Sequence, residues 1–268
     1  MTKTLLITGS TDGIGLETAK ALLAQGHRVL IHGRSAARLA PLQAQLAAQF
    51  GADKVQAWAA DLAQLDEVRS LAGRLIASGV RIDALINNAG VFKLAQPQTD
   101  SGIDVRFVVN TIAPWLLTRL LLPALATDGR VINLSSAAQA PVNLAALRGE
   151  VSISDDFSAY AQSKLALTMW SMEPARLGLA GAQSMVAVNP GSFLASKMVR
   201  EGFGRQGHDI GIGVRILSKL ALEPGAVLSG RYFDNDAGRY ADPHQEALSG
   251  ARRALVCDAV SATAKAEG

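Results

Sequence analysis

"LLITGSTDGIGLETAK", residues 5–20, closes a short apolar run on Gly9, passes Gly13 and Gly15, and enters a segment with helical spacing. The run "KTLLIT" has the length and composition of a buried strand. Beyond the glycines, Ile14, Thr18, Ala21 and Leu22 share one side of a helix that should stop near Gly26. Glycines at a strand-to-helix junction permit positive φ and let backbone amides approach a pyrophosphate, and the helix N-terminus adds partial positive charge. The spacing is GxxxGxG rather than GxGxxG. A chain with 25 glycines can form such a turn without any ligand, but its place between a strand and a helix favours a dinucleotide.

Outward from that junction, further strand-like runs alternate with longer segments rich in Ala, Leu and charge: "RVLIHG", "VQAWAA", "IDALINN", "GRVINLS" and "QSMVAVN". The second crossover spans Ser35 to Phe50. Strands joined by right-handed crossovers predict an α/β chain, a doubly wound parallel sheet with helices on both faces, which is the Rossmann fold. No repeat, low-complexity linker or charge block divides the sequence, so residues 1–268 are expected to form a single domain. After "SGRYFDNDAGRY" the sequence turns polar and Ala-rich and reads as a loosely attached tail.

A chain of 268 residues, 49% of them hydrophobic, can bury one large core. Its one cysteine, Cys257, can form no intramolecular disulfide; a reducing, cytoplasmic setting is expected, and Cys257 reads as an ordinary tail residue. The formal charge is +3 and the basic residues are scattered, which argues against a nucleic-acid partner. "MTKTLLITGS" lacks the long apolar region and cleavage site of a secretory signal, so the mature protein is expected to begin there. "WLLTRLLLPALA" is broken by Arg119 and Pro123 and falls short of the ~20 residues of a bilayer span, so no membrane insertion is expected. The four histidines, His27, His32, His208 and His244, match no metal-ligand spacing; no metal is expected, and the GxSxG of serine hydrolases is absent.

The ends of the next strands bear on the cofactor. An acidic residue closing the second strand would receive the ribose hydroxyls of NAD, but "LIHGRS" ends on Gly33 and Arg34. A guanidinium pairs with a 2′-phosphate and stacks on adenine, which favours NADP(H) over NAD(H); the alternative is that Arg34 is a solvated loop residue. Asp61 of "AADLAQ" is either an acceptor for the adenine amino group or a helix N-cap.

"SAYAQSKLAL", residues 158–167, sets Tyr160 and Lys164 four apart on a helix, one above the other. The ammonium favours the phenolate. Bringing a phenol from near 10 to neutrality takes roughly 4 kcal/mol, which a lysine and a positively charged nicotinamide could supply together. Tyr160 would then give a proton to a carbonyl oxygen, or take one from an alcohol, as hydride crosses to or from the nicotinamide. YxxxK alone is a weak motif, so its company matters.

With "TGSTDGIG" (8–15), "NNAG" (87–90), "YAQSK" (160–164) and "NPG" (189–191) in that order, the chain resembles the short-chain dehydrogenase/reductase family. The resemblance implies a cofactor loop of Gly9, Ser10, Thr11, Asp12, Gly13, Ile14 and Gly15. It implies that Leu62, Asn88, Ala89 and Gly90 lie along the dinucleotide, that NNAG braces the sheet, and that Pro190 and Gly191 turn beside the nicotinamide. Ser136, the second serine of "NLSS", is implied as the binder of the substrate carbonyl oxygen, Tyr160 as the acid/base beside Lys164, both of them touching cofactor, and Asn110 of "VVNT" as the holder of a water in a relay to Lys164. From the residues alone, Ser136 could equally cap a turn and Asn110 fix a bend.

"TDSGIDVRFVVNTIAPWLLTRLLLPAL", "YAQSKLAL" and the 24-residue step from Ser136 to Tyr160 (160 − 136) resemble retinol-dehydrogenase-like and protochlorophyllide-reductase-like members. The chain departs from that branch in carrying Asn189 where a histidine is usual and Ala195 where a threonine is; Ser196 is the next hydroxyl for the cofactor amide. The active-site cysteine proposed for the light-driven reductase has no counterpart.

Two segments are expected to wall the substrate, about 137–158 and 192–212, the second a lid in which Phe193, Met198 and Phe203 either line an apolar pocket or pack the lid down. Trp115 and Trp170 read as core or interface residues. The function that follows is an NADP(H)-dependent carbonyl reductase or alcohol dehydrogenase acting on a small molecule. The rival is a non-catalytic NADP(H)-binding redox sensor or scaffold, against which the joint presence of Ser136, Tyr160 and Lys164 argues. The family resemblance also implies a homodimer or homotetramer, joined through the helices preceding and containing YxxxK.

Overall fold

Leu5 and Ile7 face one side of the first strand and Leu6 the other, the two-residue alternation that lets a strand feed two cores. The computed structural model describes residues 1–192, 194–195, 207–225 and 227–266. Its main elements are β1 (Thr4–Ile7), α1 (Gly13–Ala24), β2 (Arg28–Gly33), α2 (Ala36–Phe50), β3 (Val55–Ala59), α3 (Leu65–Ala77), β4 (Ile82–Asn87), α4 (Val105–Ala124), β5 (Leu125–Leu134), α5 (Asp156–Ser171), β6 (Ser184–Asn189), α6 (Gly211–Leu222), β7 (Arg231–Asp234), β8 (Arg239–Ala241) and α7 (Gly250–Ala266). The strands form one sheet in the order β3-β2-β1-β4-β5-β6-β7-β8. β1 through β7 are parallel, and β8 returns antiparallel to β7. A parallel sheet must be covered on both faces, and this one is. Leu6, Leu30, Leu85 and Val131 pack with α3, α4, α5 and α7, while Ile7, Ile31, Ile86 and Ile132 pack with α1, α2 and α6.

The doubly wound expectation holds for the six strands read from sequence. β7 and β8 were not among them. Arg231, Asp234 and Arg239 give these short strands a charged surface, and their pairing, Tyr232 with Ala241 and Phe233 with Tyr240, becomes visible only in the hairpin.

The tail expectation is corrected. Gly250–Ala266 is a helix that buries Val256, Ala259, Val260 and Ala264 in the same core as Trp170. Its inward residues are mostly small, so the apolar stripe is faint in the sequence. Cys257 is buried there, and burial pushes its thiol up to about 12. Segment 137–158 is a loop that carries one helical turn, Leu144–Leu147, and from Asp156 the chain already belongs to α5. It is tied to the C-terminal region, since Val142 N donates to Glu246 Oε2 (2.7 Å), Arg252 Nη2 to Val142 O (2.5 Å), and His244 N to Gln139 Oε1 (2.8 Å).

α4 also differs from expectation. At 20 residues it is long and apolar enough to cross a membrane by length and composition, and it lies mostly buried in the protein's own core. Trp115 and Trp170 are core residues.

Candidate active site

Because the chain leaves β1 toward β2 on one side and meets β4 on the other, a crevice opens at the carboxyl ends of β1 and β4. The glycine loop fills its floor. Gly9 has φ +62° and Gly13 φ +56°, and a Cβ on Gly9 would stand 2.8 Å from Ala89 Cα. Asn88 Nδ2 donates to Thr8 O (2.8 Å) and Gly9 O (2.9 Å), while Thr8 Oγ1 accepts from Asn88 N and Ala89 N, each at 3.0 Å. NNAG therefore locks β4 to the glycine loop.

Asp12 caps α1 by accepting from Gly13 N at 2.7 Å. His32, at the end of β2, accepts the Gly9 N–H on Nδ1 at 3.1 Å. Burial pushes this imidazole down to about 4, so it stays neutral and keeps that lone pair available.

Two residues expected along the dinucleotide stand behind the crevice wall. Ser10 is fully buried, its Oγ accepting from His32 N (2.8 Å) and donating to His32 O (3.4 Å). A Cβ on Gly15 would meet Asn88 Nδ2 at 2.4 Å and Gly9 O at 2.5 Å, so its absence allows α1 to pack. Ser10 and Gly15 shape the loop rather than line it.

Gly9, Thr11, Asp12, Gly13 and Ile14 open onto a cleft of about 720 Å³ that runs past Asn88, Ala89 and Gly90 to Ser136, Tyr160, Lys164, Pro190 and Gly191. At its other end Arg34, Arg38, Ser35, Thr11 and Asp61 surround a recess, with buried Leu62 beside it. Ser35 caps α2 through Arg38 N, which places both guanidiniums around that helix N-terminus. Arg38 is a candidate the sequence reading passes over; its signal is the four-residue step from Arg34 across a capping serine. Asp61 is not the cap of α3, which is Gln64; its Oδ1 accepts from Ala63 N at 3.0 Å. The glycine cradle and the two arginines fit a dinucleotide carrying an extra phosphate.

At the reacting end, Tyr160 and Lys164 are both buried on α5. The Tyr160 ring meets Phe92 edge-on with centroids 5.2 Å apart, and Lys164 Nζ lies 5.7 Å from the Tyr160 ring centroid. That Nζ donates to Leu134 O at 2.8 Å. Ser136 is the side chain whose interaction with the Tyr160 hydroxyl favours the phenolate, and its Oγ accepts from Ala138 N at 3.1 Å. Ser135 is instead held by Thr168 Oγ1 at 2.6 Å, so the second serine of the pair is the one at Tyr160.

The electrostatics of the protein's own residues are governed by burial. Burial raises the Tyr160 phenol above its ordinary value, opposed by the Ser136 hydrogen bond. Burial pushes Lys164 down to about 8. Both shifts have the sign of desolvation, which at Tyr160 outweighs the lowering by Ser136; the lowering expected from the sequence rests on Lys164 acting together with a positively charged nicotinamide.

Asn110 lies in a π turn, Val108–Ile112, within α4. Its Oδ1 accepts from Val91 N (2.8 Å) and its Nδ2 donates to Val91 O (3.0 Å) and Ser163 Oγ (2.9 Å). It therefore fixes an irregular turn and sits behind the cleft wall. Asn110 and Lys164 both face Gly90, on which a Cβ would stand 3.4 Å from Asn110 Oδ1 and from Lys164 Nζ.

The Pro190–Gly191 turn is held by the β7–β8 hairpin. Asn189 Nδ2 donates to Asp234 Oδ1 and Asp236 Oδ2, both at 2.9 Å, Asn235 Nδ2 donates to Pro190 O (2.9 Å), and Ser192 N donates to Asp236 Oδ1 (2.9 Å). Asn189 thus has a structural partner set of its own where the branch usually has histidine. Burial works against the Asp236 carboxylate, but the Ser192 and Asn189 hydrogen bonds and the nearby His208 hold it below its ordinary value. Phe193, Ser196, Met198 and Phe203 lie outside the described residues. Val91, Leu94, Val105, Val109, Phe157 and Leu194 supply apolar lining near Tyr160.

Fold and crevice together define a dinucleotide-binding α/β domain. The family model for short chain dehydrogenase matches residues 3–204. Retinol dehydrogenase 13 of Mus musculus is 30% identical over 276 residues, covering 94% of this chain and 81% of that protein. Polyprenol dehydrogenase of Mus musculus is 36% identical over 180 residues, covering 64% of this chain and 53% of that protein, about half its length. A short chain dehydrogenase from Burkholderia cenocepacia, solved in complex with NADP, is 27% identical and superposes with a TM-score of 0.66 over 87% of this chain and 95% of its own. The chain belongs to the short-chain dehydrogenase family of oxidoreductases.

Proposed function

We propose that the protein is an NADP(H)-dependent oxidoreductase that interconverts an apolar carbonyl compound and its alcohol. The observation that carries this reading is a single cleft with Arg34 and Arg38 at one end and Ser136, Tyr160 and Lys164 at the other. Arg34 and Arg38 would hold a 2′-phosphate, the Gly9–Ile14 loop the pyrophosphate, and the Pro190–Gly191 turn the nicotinamide end. NADP(H), when bound, supplies or accepts the hydride.

The chain's residues manage the proton and the substrate oxygen. Ser136 and Tyr160 present two hydroxyls to that oxygen. The Tyr160 phenol, which burial raises further, is protonated at neutral pH and suits donation to a carbonyl oxygen, with the reverse transfer serving alcohol oxidation. Lys164, near 8, is mostly cationic at neutral pH and stands where it can return a proton toward Tyr160, with Asn110 also facing Gly90 for the relay. The apolar lining from Val91 to Leu194, and relatives named for retinol and polyprenol, support an apolar substrate.

The test is NADPH oxidation across apolar aldehydes and ketones, with NADH in parallel. Tyr160→Phe should lower kcat by at least about a hundredfold while NADPH affinity holds. Undiminished turnover in that variant would overturn the assignment. Tight NADPH binding with no turnover across the panel would favour the sensor reading.

A further inference from the structure

The segment "DVRF", residues 104–107, buries a full charge. Arg106 is 1% exposed, yet it sits in the wall between α4 and α5. Its donors are used in two directions. Nε and Nη2 fork onto Asp104 Oδ1 (2.9 Å) and Oδ2 (2.7 Å), the bidentate geometry that holds a guanidinium in a plane. Nη1 reaches across to Asp156, donating to its carboxylate Oδ1 at 2.5 Å and to its backbone carbonyl at 3.3 Å. Asp104 is anchored in turn, because it caps α4 and accepts Arg106 N at 2.8 Å.

Asp156 is the first residue of α5, and Tyr160 lies four residues on, on the same side of that helix. The next polar links between the two helices are Asn110 Nδ2 to Ser163 Oγ (2.9 Å) and Thr111 Oγ1 to Ser163 O (2.7 Å). Apolar side chains would hold two helices together at lower desolvation cost, but they tolerate sliding; a guanidinium held in plane by its fork on Asp104, with Nη1 reaching both the carboxylate and the main-chain carbonyl of Asp156, does not. Nor is the pair needed to start α5, which Asp155 already caps through Ser158 N.

We propose that Arg106, fixed by Asp104 and gripping Asp156, is a positioning residue that sets the register of α5 against α4 and so the place of the Tyr160 hydroxyl at Ser136. The proposal rests on the reading of Tyr160 as acid/base for its catalytic consequence, but the placement itself can be measured without turnover.

The chain has three tyrosines, so protein labelled with ¹³C at tyrosine Cζ gives three resonances, assignable by Tyr→Phe variants. Arg106→Lys keeps the charge and loses the fork. Asp156→Asn, at a half-exposed side chain, weakens the grip and leaves the buried Asp104 pair intact. Both should shift or broaden the Tyr160 resonance and leave those of Tyr232 and Tyr240 in place, and should lower kcat by about ten- to a hundredfold with KM for NADPH nearly constant. Asp156→Glu should restore part of kcat. If the variants lower only the melting temperature, with the Tyr160 resonance and kcat unchanged, Arg106 is structural and the proposal fails. Should Arg106→Lys not fold, Asp156→Asn decides alone. A wild type without turnover would undo the proposed function, while the Tyr160 resonance would still decide the positioning.

Discussion

At the adenosine end of the cleft, Arg34 and Arg38 stand exposed around the start of α2, whereas at the reacting end Tyr160 is 9% and Lys164 4% exposed. The first end works by charges held in water, where attraction is weak, salt-dependent and adjustable by one side chain. The second works by removing water, which shifts Tyr160 and Lys164 in the directions desolvation dictates. Under the proposed function, discrimination between cofactors and tuning of proton transfer would be separated in space and in physical origin, and each could be perturbed alone.

The sharpest way to break the contrast is Lys164→Met. Turnover should fall by at least about a hundredfold. Stability should move the other way. Below pH 8 the buried ammonium carries a cost of about 3 kcal/mol, because its value falls from 10.5 to about 8. As pH rises from 8 to 10.5 the folded protein sheds that proton before the unfolded chain does, so wild-type stability increases over this window. Lys164→Met should lose the increase and be about 2 kcal/mol more stable at pH 7, after allowance for the unpaired Leu134 carbonyl. Urea denaturation across pH measures both.

His32 tests whether burial also governs the phosphate loop. Its value drops from 6.5 to about 4, so between those limits the unfolded chain takes up a proton that the folded protein refuses. Stability should fall by about 3 kcal/mol as pH goes from 6.5 to 4, and most of that fall should vanish in His32→Asn. An unchanged pH profile in the variant would place the acid sensitivity elsewhere.

The smallest expected effect is at the exposed end. Arg34→Ala and Arg38→Ala should each weaken NADPH binding by about tenfold at low salt, less at high salt, with NADH affinity little altered. Equal losses for both cofactors would mean that the arginines hold adenine rather than a phosphate.

The six strands from β1 to β6 were legible because each is an apolar run ending in a turn residue, and both sheet faces are buried. The glycine loop and Tyr160–Lys164 were legible because their spacing is local. What was not legible depends on distant pairings. His32 acquires its role only by lying opposite Gly9, and Arg106 only by meeting Asp156 across 50 residues. β7, β8 and α7 use short strands with charged residues or small inward residues, so period and hydropathy are faint, although the hairpin they build holds Pro190–Gly191. The effect of burial on Tyr160 was not legible either, because the loss of water around the phenol depends on packing that the local YxxxK spacing does not carry.

The widened turn at Val108–Ile112 inserts roughly one residue beyond what a regular helix would use, and so rotates everything after it by about 100° relative to everything before it. Arg106 can then face Asp156 while Trp115, Leu117 and Leu121 still enter the core. Trimming one amino acid from this stretch would mend the hydrogen-bond ladder and simultaneously swing one half of the helix out of phase. Length here is consequently as much a determinant of the site as chemical identity.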